Sequence, residues 1–387
     1  MTSSASKQLI EVVRDYYRTN DFIPLHAPVF RGNEKAYVTE AIDSTFVSSV
    51  GEFVDRLESQ VAAYTSSPRA VATVNGTAAL HVALRLVGVA PDDYVITQPL
   101  TFVATCNTIL YCGATPIFID VDRDTLGLSP RAVETWLHAN AFRDSEGVCR
   151  NRNDRRIIRA CLPMHTFGHP ADLEGLVRVC HEWGLALVED AAESLGSLYR
   201  GQHTGTLGDI GALSFNGNKI LTTGGGGMIL SNHQLADRAR HLTTTAKQPH
   251  AFEYVHDELG YNYRMPNLNA ALGCAQMEQL EGFIREKRKL ADGYSNSLSN
   301  SSFGFVREPE GCRSNYWLNA VICESRSDRD LLLKETNEQG VMTRPVWQLM
   351  NRLPMYTCAP SGDLVNALWL EDRVVNLPSS VRPEGDS

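Results

Sequence analysis

The sequence predicts an α/β fold: a mostly parallel seven-stranded sheet with helices on both faces, followed by a smaller C-terminal α/β domain. Three observations carry this expectation. Short apolar runs rich in Val and Ile alternate with stretches of helical periodicity, the pattern of strands covered on both faces. Pro266 opens a long amphipathic stretch that separates this alternation from the last part of the chain. At 387 residues the chain is long for one hydrophobic core, so two domains are the natural division.

Taken in order, residues 1–45 read as an amphipathic helix, an irregular Pro-containing segment and a second helix. The large domain spans 46–265. Helix 51–64 leads to strand 70–74, helix 76–87 to strand 93–97, and helix 101–111 to strand 116–121. A polar stretch over 143–155 precedes strand 157–163, helix 171–183 and strand 185–189. Strands near 210–215 and 227–231 complete the seven. Leu268, Leu272, Ala275, Leu280 and Ile284 lie on one side of a helix running from Pro266 to about 296. That helix and the small domain occupy 266–387.

Composition narrows the function classes. A net charge of -9 argues against a nucleic-acid partner, which needs a basic stripe. The nine cysteines are odd in number, form no C-x-x-C pair and lie mostly in apolar runs, which points to free thiols in a reducing cytoplasm. No apolar run reaches membrane-spanning length, and the opening residues lack the pattern of a signal peptide.

The most telling stretch runs from Ser214 to Gly227. An apolar run (Ile210, Ala212, Leu213, Phe215) breaks into polar and glycine residues, presents Lys219, and enters four glycines, Gly224 to Gly227. Such a lysine suits either phosphate binding as a charge or Schiff-base formation with a carbonyl. A P-loop is excluded, because Asn218 separates Gly217 from Lys219 and the glycine run follows the lysine. Upstream, a buried strand ends in Glu189-Asp190. Alone, Asp190 reads equally as a helix cap; beside Lys219 it reads as the carboxylate that keeps a pyridine nitrogen protonated. Asn75-Gly76-Thr77 runs from a strand into a helix, either an anion site or a plain turn. Ser214 offers a second hydroxyl, and Phe102 is either core or a ring that stacks on a bound planar group. All these positions fall at carboxyl ends of successive strands, where open α/β sheets bind ligands.

These segments, with Gly208-Asp209-Ile210-Gly211 and Gly260-Tyr261-Asn262-Tyr263-Arg264, resemble the DegT/DnrJ/EryC1/StrS sugar aminotransferases over roughly residues 25–380. The resemblance implies the aspartate-aminotransferase-like fold (fold type I) and pyridoxal 5'-phosphate as cofactor. It makes Lys219 the Schiff-base lysine, Asp190 the partner of the pyridine nitrogen and Phe102 the stacking ring. Gly76, Thr77 and Ser214 hold the phosphate. The family carries His or Gln near the phenolic oxygen; Glu193 departs from that, leaving a neutral carboxyl or a bridging water in its place. Asn262 reaches the neighbouring subunit's phosphate, which implies a homodimer with shared sites.

Within the family, Pro28 to Glu34, Phe46 to Gly51, Asn216 to Lys219 and Thr343 to Trp347 are similar to the group aminating UDP-linked 4-keto-6-deoxy-N-acetylhexosamines for bacillosamine or legionaminic acid. Lys219 itself favours transamination, since a dehydratase branch carries histidine there. The implied reaction takes the amino group from glutamate, releases 2-oxoglutarate, and places the nitrogen on C4 of the keto sugar. GDP- or dTDP-linked keto sugars, and a non-catalytic cofactor-binding role, are the alternatives. Arg31, Asn33, His165, Tyr316 with Trp317, Arg344 and Trp347 are candidates for the sugar-nucleotide site, each with an ordinary structural reading beside it. No metal site is expected.

Overall fold

The computed structural model describes residues 4–382; the ends of the N-terminal and C-terminal segments, 1–3 and 383–387, lie outside the described residues. Seven strands form the central sheet: β1 (Arg69–Thr73), β2 (Tyr94–Thr97), β3 (Thr115–Phe118), β4 (Ile158–Leu162), β5 (Ala186–Asp190), β6 (Ile210–Ser214) and β7 (Gly227–Ser231). Their order is β1-β7-β6-β5-β4-β2-β3, and β7 alone runs antiparallel to its neighbours. The expected sheet is present, each strand within one residue of its predicted bounds except β3, which ends at Phe118 where the sequence predicts 121.

Strand parity divides the core. Val95, Ala160 and Val188 pack in one cluster, while Ile96, Cys161 and Leu187 pack in another, because successive side chains leave a strand on opposite faces. Helices cover both clusters. α1 (Ser4–Tyr17) and α2 (Glu34–Asp43) precede the sheet, and α3 (Glu52–Thr65) leads into it. α4 (Gly76–Leu86), α5 (Val103–Tyr111), α6 (Pro130–Asn140) and α7 (Leu173–Trp183) connect its strands, and α8 (His233–Thr243) follows β7.

Several elements differ from expectation. α6 is started by the Ser129 side chain, which accepts from Ala132 N with Pro130 in the first turn, and the sequence reading passed over it. Part of the polar stretch pairs as a short hairpin, Ala141–Arg143 with Cys149–Asn151. The helix expected from Pro266 to 296 is two helices, α9 (Asn267–Met277) and α10 (Leu280–Ser297). The break coincides with docking on α2: Gln276 and Gln279 both donate to Glu34 Oε1, while Glu278 accepts from Asn33, Tyr37 and Arg56.

Beyond α10, strands β8 (Gly304–Phe305), β9 (Asn319–Ile322), β10 (Arg344–Pro345) and β11 (Val374–Leu377) form an antiparallel sheet in the order β8-β9-β11-β10. Leu9, Ile10 and Val13 of α1 pack with Tyr294, Val321 and Val375, so the start of the chain covers this second sheet. All nine cysteines are free, and seven are buried. No helix among the described residues is long and apolar enough to cross a membrane.

Candidate active site

The carboxyl ends of β1, β5 and β6 meet around a cavity of about 340 Å³. Asn75 caps α4 through a 2.7 Å bond from Ala78 N, leaving Gly76 and Thr77 to form the first turn at the cavity wall. First-turn amides of a helix have no partner within the helix and favour an anion. Two glycines bring this turn against the lysine loop. A Cβ at Gly76 would lie 2.8 Å from Ser214 Cβ, and one at Gly227 only 2.5 Å from Asn75 O and 2.7 Å from Gly76 N. Side chains are excluded there because two stretches of backbone touch.

Asp190 closes β5 and is buried. Its Oδ2 accepts from Thr105 Oγ1 at 2.6 Å and its Oδ1 from Ala192 N at 3.1 Å. Burial pushes its carboxyl above the ordinary range, against the opposing pull of the Thr105 bond and the Lys219 charge. Glu193, one turn on, is also buried and is pushed up to about 7 by desolvation, partly offset by Lys219. Its Oε1 lies 3.1 Å from Lys219 Nζ, and its Oε2 accepts from Phe167 N at 2.9 Å. Lys219 Nζ also sits 3.8 Å from the ring centroid of Trp317. Phe102, at the N-cap of α5, keeps half its surface exposed at the mouth and meets Trp347 edge-on.

The cavity therefore gathers Gly76, Thr77, Phe102, Asp190, Glu193, Ser214 and Lys219, together with Trp347 from the substrate candidates. Asn262 is exposed, bridges Thr244 and lies outside this cavity. Trp317 apart, the other substrate candidates lie outside this cavity. His165 is fully buried: its Nδ1 accepts from Ala171 N, and its Nε2 donates to Glu189 Oε2 at 3.0 Å. Tyr316 is buried beside His169 with its hydroxyl accepting from Glu308 N. Arg31 pairs with Glu286, Asn33 donates to Glu278, and Arg344 is held by Asn337 and the Thr343 carbonyl.

Trp317, a possible sugar-nucleotide contact together with Tyr316, does line the cavity, and so does Thr105, to which the sequence assigned no role. Trp317 follows Tyr316, whose left-handed backbone turns the chain, so the indole reaches the cavity while the phenol packs beside His169. Thr105 follows Phe102 by three, on the same helix face. A larger cleft of about 660 Å³ lies between Asp120, Trp136 and Asp363, and contains none of the residues singled out.

A model of the DegT/DnrJ/EryC1/StrS aminotransferase family matches residues 28–387. The chain belongs to that family. It is 37% identical over 337 residues to GDP-perosamine synthase from Escherichia coli O157:H7, covering 87% of each chain. It is 34% identical over 361 residues to GDP-perosamine synthase from Vibrio cholerae, covering 92% of this chain and 94% of that one. Among solved structures, the aminotransferase TlmJ from Streptoalloteichus hindustanus superposes with a TM-score of 0.84 at 28% identity, covering 95% of each chain. As a DegT/DnrJ/EryC1/StrS aminotransferase the chain uses pyridoxal 5'-phosphate, and the cavity fits that cofactor. An anion-favouring turn with two hydroxyls stands on one wall, a buried carboxylate and an amine on the others, and a half-exposed aromatic ring at the mouth.

Proposed function

We propose that this sugar aminotransferase moves the amino group of glutamate to a nucleotide-linked keto sugar, and that the nucleotide is GDP. The single observation that carries the chemistry is that Lys219 and Asp190 face one cavity, with Glu193 against the amine. When bound, pyridoxal 5'-phosphate supplies an aldehyde for an amine and an electron sink that lets nitrogen pass between carbons. Lys219 Nζ would hold the aldehyde and, as a free amine, would be the base that moves a proton on donor and acceptor. Asp190 holds the ring nitrogen protonated; a cation there relieves the desolvation that raises this carboxyl. Gly76, Thr77 and Ser214 bind the phosphate, and Phe102 covers the ring and excludes water. Glu193, whose carboxyl desolvation raises to about 7, would be the side chain facing the phenolic oxygen and could hold a proton there.

Support for GDP comes from the relatives named GDP-perosamine synthase, which favour it over the UDP-linked reading. A UDP-linked 4-keto-6-deoxy-N-acetylhexosamine is the second reading. It rests on the stretches Asn216 to Lys219 and Thr343 to Trp347, parts of which line the cavity. Our reading gives Asn262 to the site of a second subunit in a homodimer; its exposure and its distance from its own cavity support this.

Purified protein should show an absorbance band at the edge of the visible range that bleaches with glutamate and returns with the accepted keto sugar. GDP-, UDP- and dTDP-keto sugars tested side by side should rank GDP first. A protein that stays colourless with added cofactor overturns the chemistry; return of the band with UDP-sugar alone overturns only the nucleotide.

A further inference from the structure

We infer that Trp317 is a positioning residue for Lys219: its indole fixes the backbone just before the lysine and provides the surface on which the amine rests. Trp317 Nε1 donates to the carbonyl of Asn218 at 2.7 Å, and the ring face lies 3.8 Å from Lys219 Nζ. An ammonium over an indole is held by the ring's negative face, and that attraction grows when water is excluded. Trp317 is 4% exposed.

The indole is itself aimed by three separate constraints. Tyr316 adopts φ 48°, a left-handed conformation unfavourable for an aromatic residue, and turns the chain immediately before Trp317. Trp317 N donates to Asn315 Oδ1 at 2.8 Å, while Asn315 Nδ2 donates to the carbonyls of Glu193 and Leu195. The Trp317 carbonyl accepts from the buried amine of Lys287 at 3.1 Å, and Lys287 also donates to the Ser379 carbonyl. Desolvation lowers the Lys287 amine to about 7. A left-handed tyrosine and a buried lysine are both unfavourable in isolation, and both converge on one indole. Through Asn315, the segment that carries Trp317 is also tied to the segment that carries Glu193. The two contacts of the Lys219 amine, carboxyl and ring, are thus set by one network.

The inference rests on the reading of Lys219 given above and is tested on the cofactor-free protein. Pyridoxal 5'-phosphate is added, and stopped-flow absorbance follows the bond to Lys219. Separately, the equilibrium affinity for pyridoxamine 5'-phosphate, which forms no such bond, is measured by dialysis. Trp317→Leu should slow formation of the visible-edge band roughly tenfold and leave pyridoxamine phosphate affinity unchanged. Trp317→Phe, which keeps a ring but loses the N–H, should fall between it and the wild type. Band formation by Trp317→Leu at the wild-type rate overturns the inference, as does an equal loss of affinity for both cofactor forms. If Trp317→Leu does not fold, Trp317→Phe alone decides by the same comparison. Absence of any band in the wild type would sink the assignment of Lys219 instead.

Discussion

Glu189 and Glu193 lie four residues apart, both buried, at the rear and the front of the same strand end. Behind β5, Glu189 accepts from the amides of Gly205, Leu207 and Gly208 at 2.6–2.7 Å and from His165. Burial alone would raise its carboxyl, but His165 and these amides hold it below the ordinary range. At the front, Glu193 has one amide and one amine, and desolvation wins. The number of donors decides which buried carboxylate stays a fixed anion and which can hold a proton. The saturated one organises the fold and the undersupplied one faces the cavity.

The largest expected effect breaks the front region. Lys219→Ala should lower turnover by on the order of 10⁴-fold while leaving the fold intact, checked by steady-state kinetics and circular dichroism. Near wild-type turnover would remove Lys219 from the chemistry. The rear region should respond in stability instead. Glu189→Gln turns an acceptor into a donor facing backbone N–H groups and should cost about 3–5 kcal/mol, read from urea unfolding. A loss under 1 kcal/mol would mean the amide nest is not what holds the Gly205–Gly208 turn.

A third test sharpens the contrast. Glu193 in the fold is raised from its ordinary 4.5 to about 7, so between these values the unfolded chain ionises while the folded one stays protonated. Its contribution is therefore neutral below pH 4.5, becomes destabilising as pH rises, and is complete above about pH 7. Glu193→Gln should gain thermal stability over the wild-type cofactor-free protein at pH 8 but not at pH 4.5. A difference that does not change with pH would place the proton elsewhere. The smallest effect concerns Arg344, exposed and held by its own neighbours. Arg344→Ala should change the KM for keto sugar by no more than about twofold. A tenfold rise would return it to the substrate site.

The gathering of the candidate cofactor residues at one cavity was legible because each is local to a strand end, and a parallel sheet places successive strand ends along one edge. Gly76, Asp190, Ser214 and Lys219 needed only the strand pattern and a short motif. Residues outside that edge were not legible. His165 and Glu189 read as candidates for a pocket or a strand tip, yet the donors that bind them into the fold come from Ala171 and the Gly205 turn. Tyr316 and Trp317 could be told apart only by knowing the backbone turn between them. α6 had its start signal in Ser129-Pro130, and α8 in Asn232, whose side chain accepts from Leu235 N; both were readable and overlooked.

The glycine contacts between the α4 turn and β7 carry a mechanical consequence. Where Gly227 and Asn75 abut without side chains, neither stretch can shift without pushing the other. The turn that favours an anion is therefore braced directly against the strand that the lysine loop leads into.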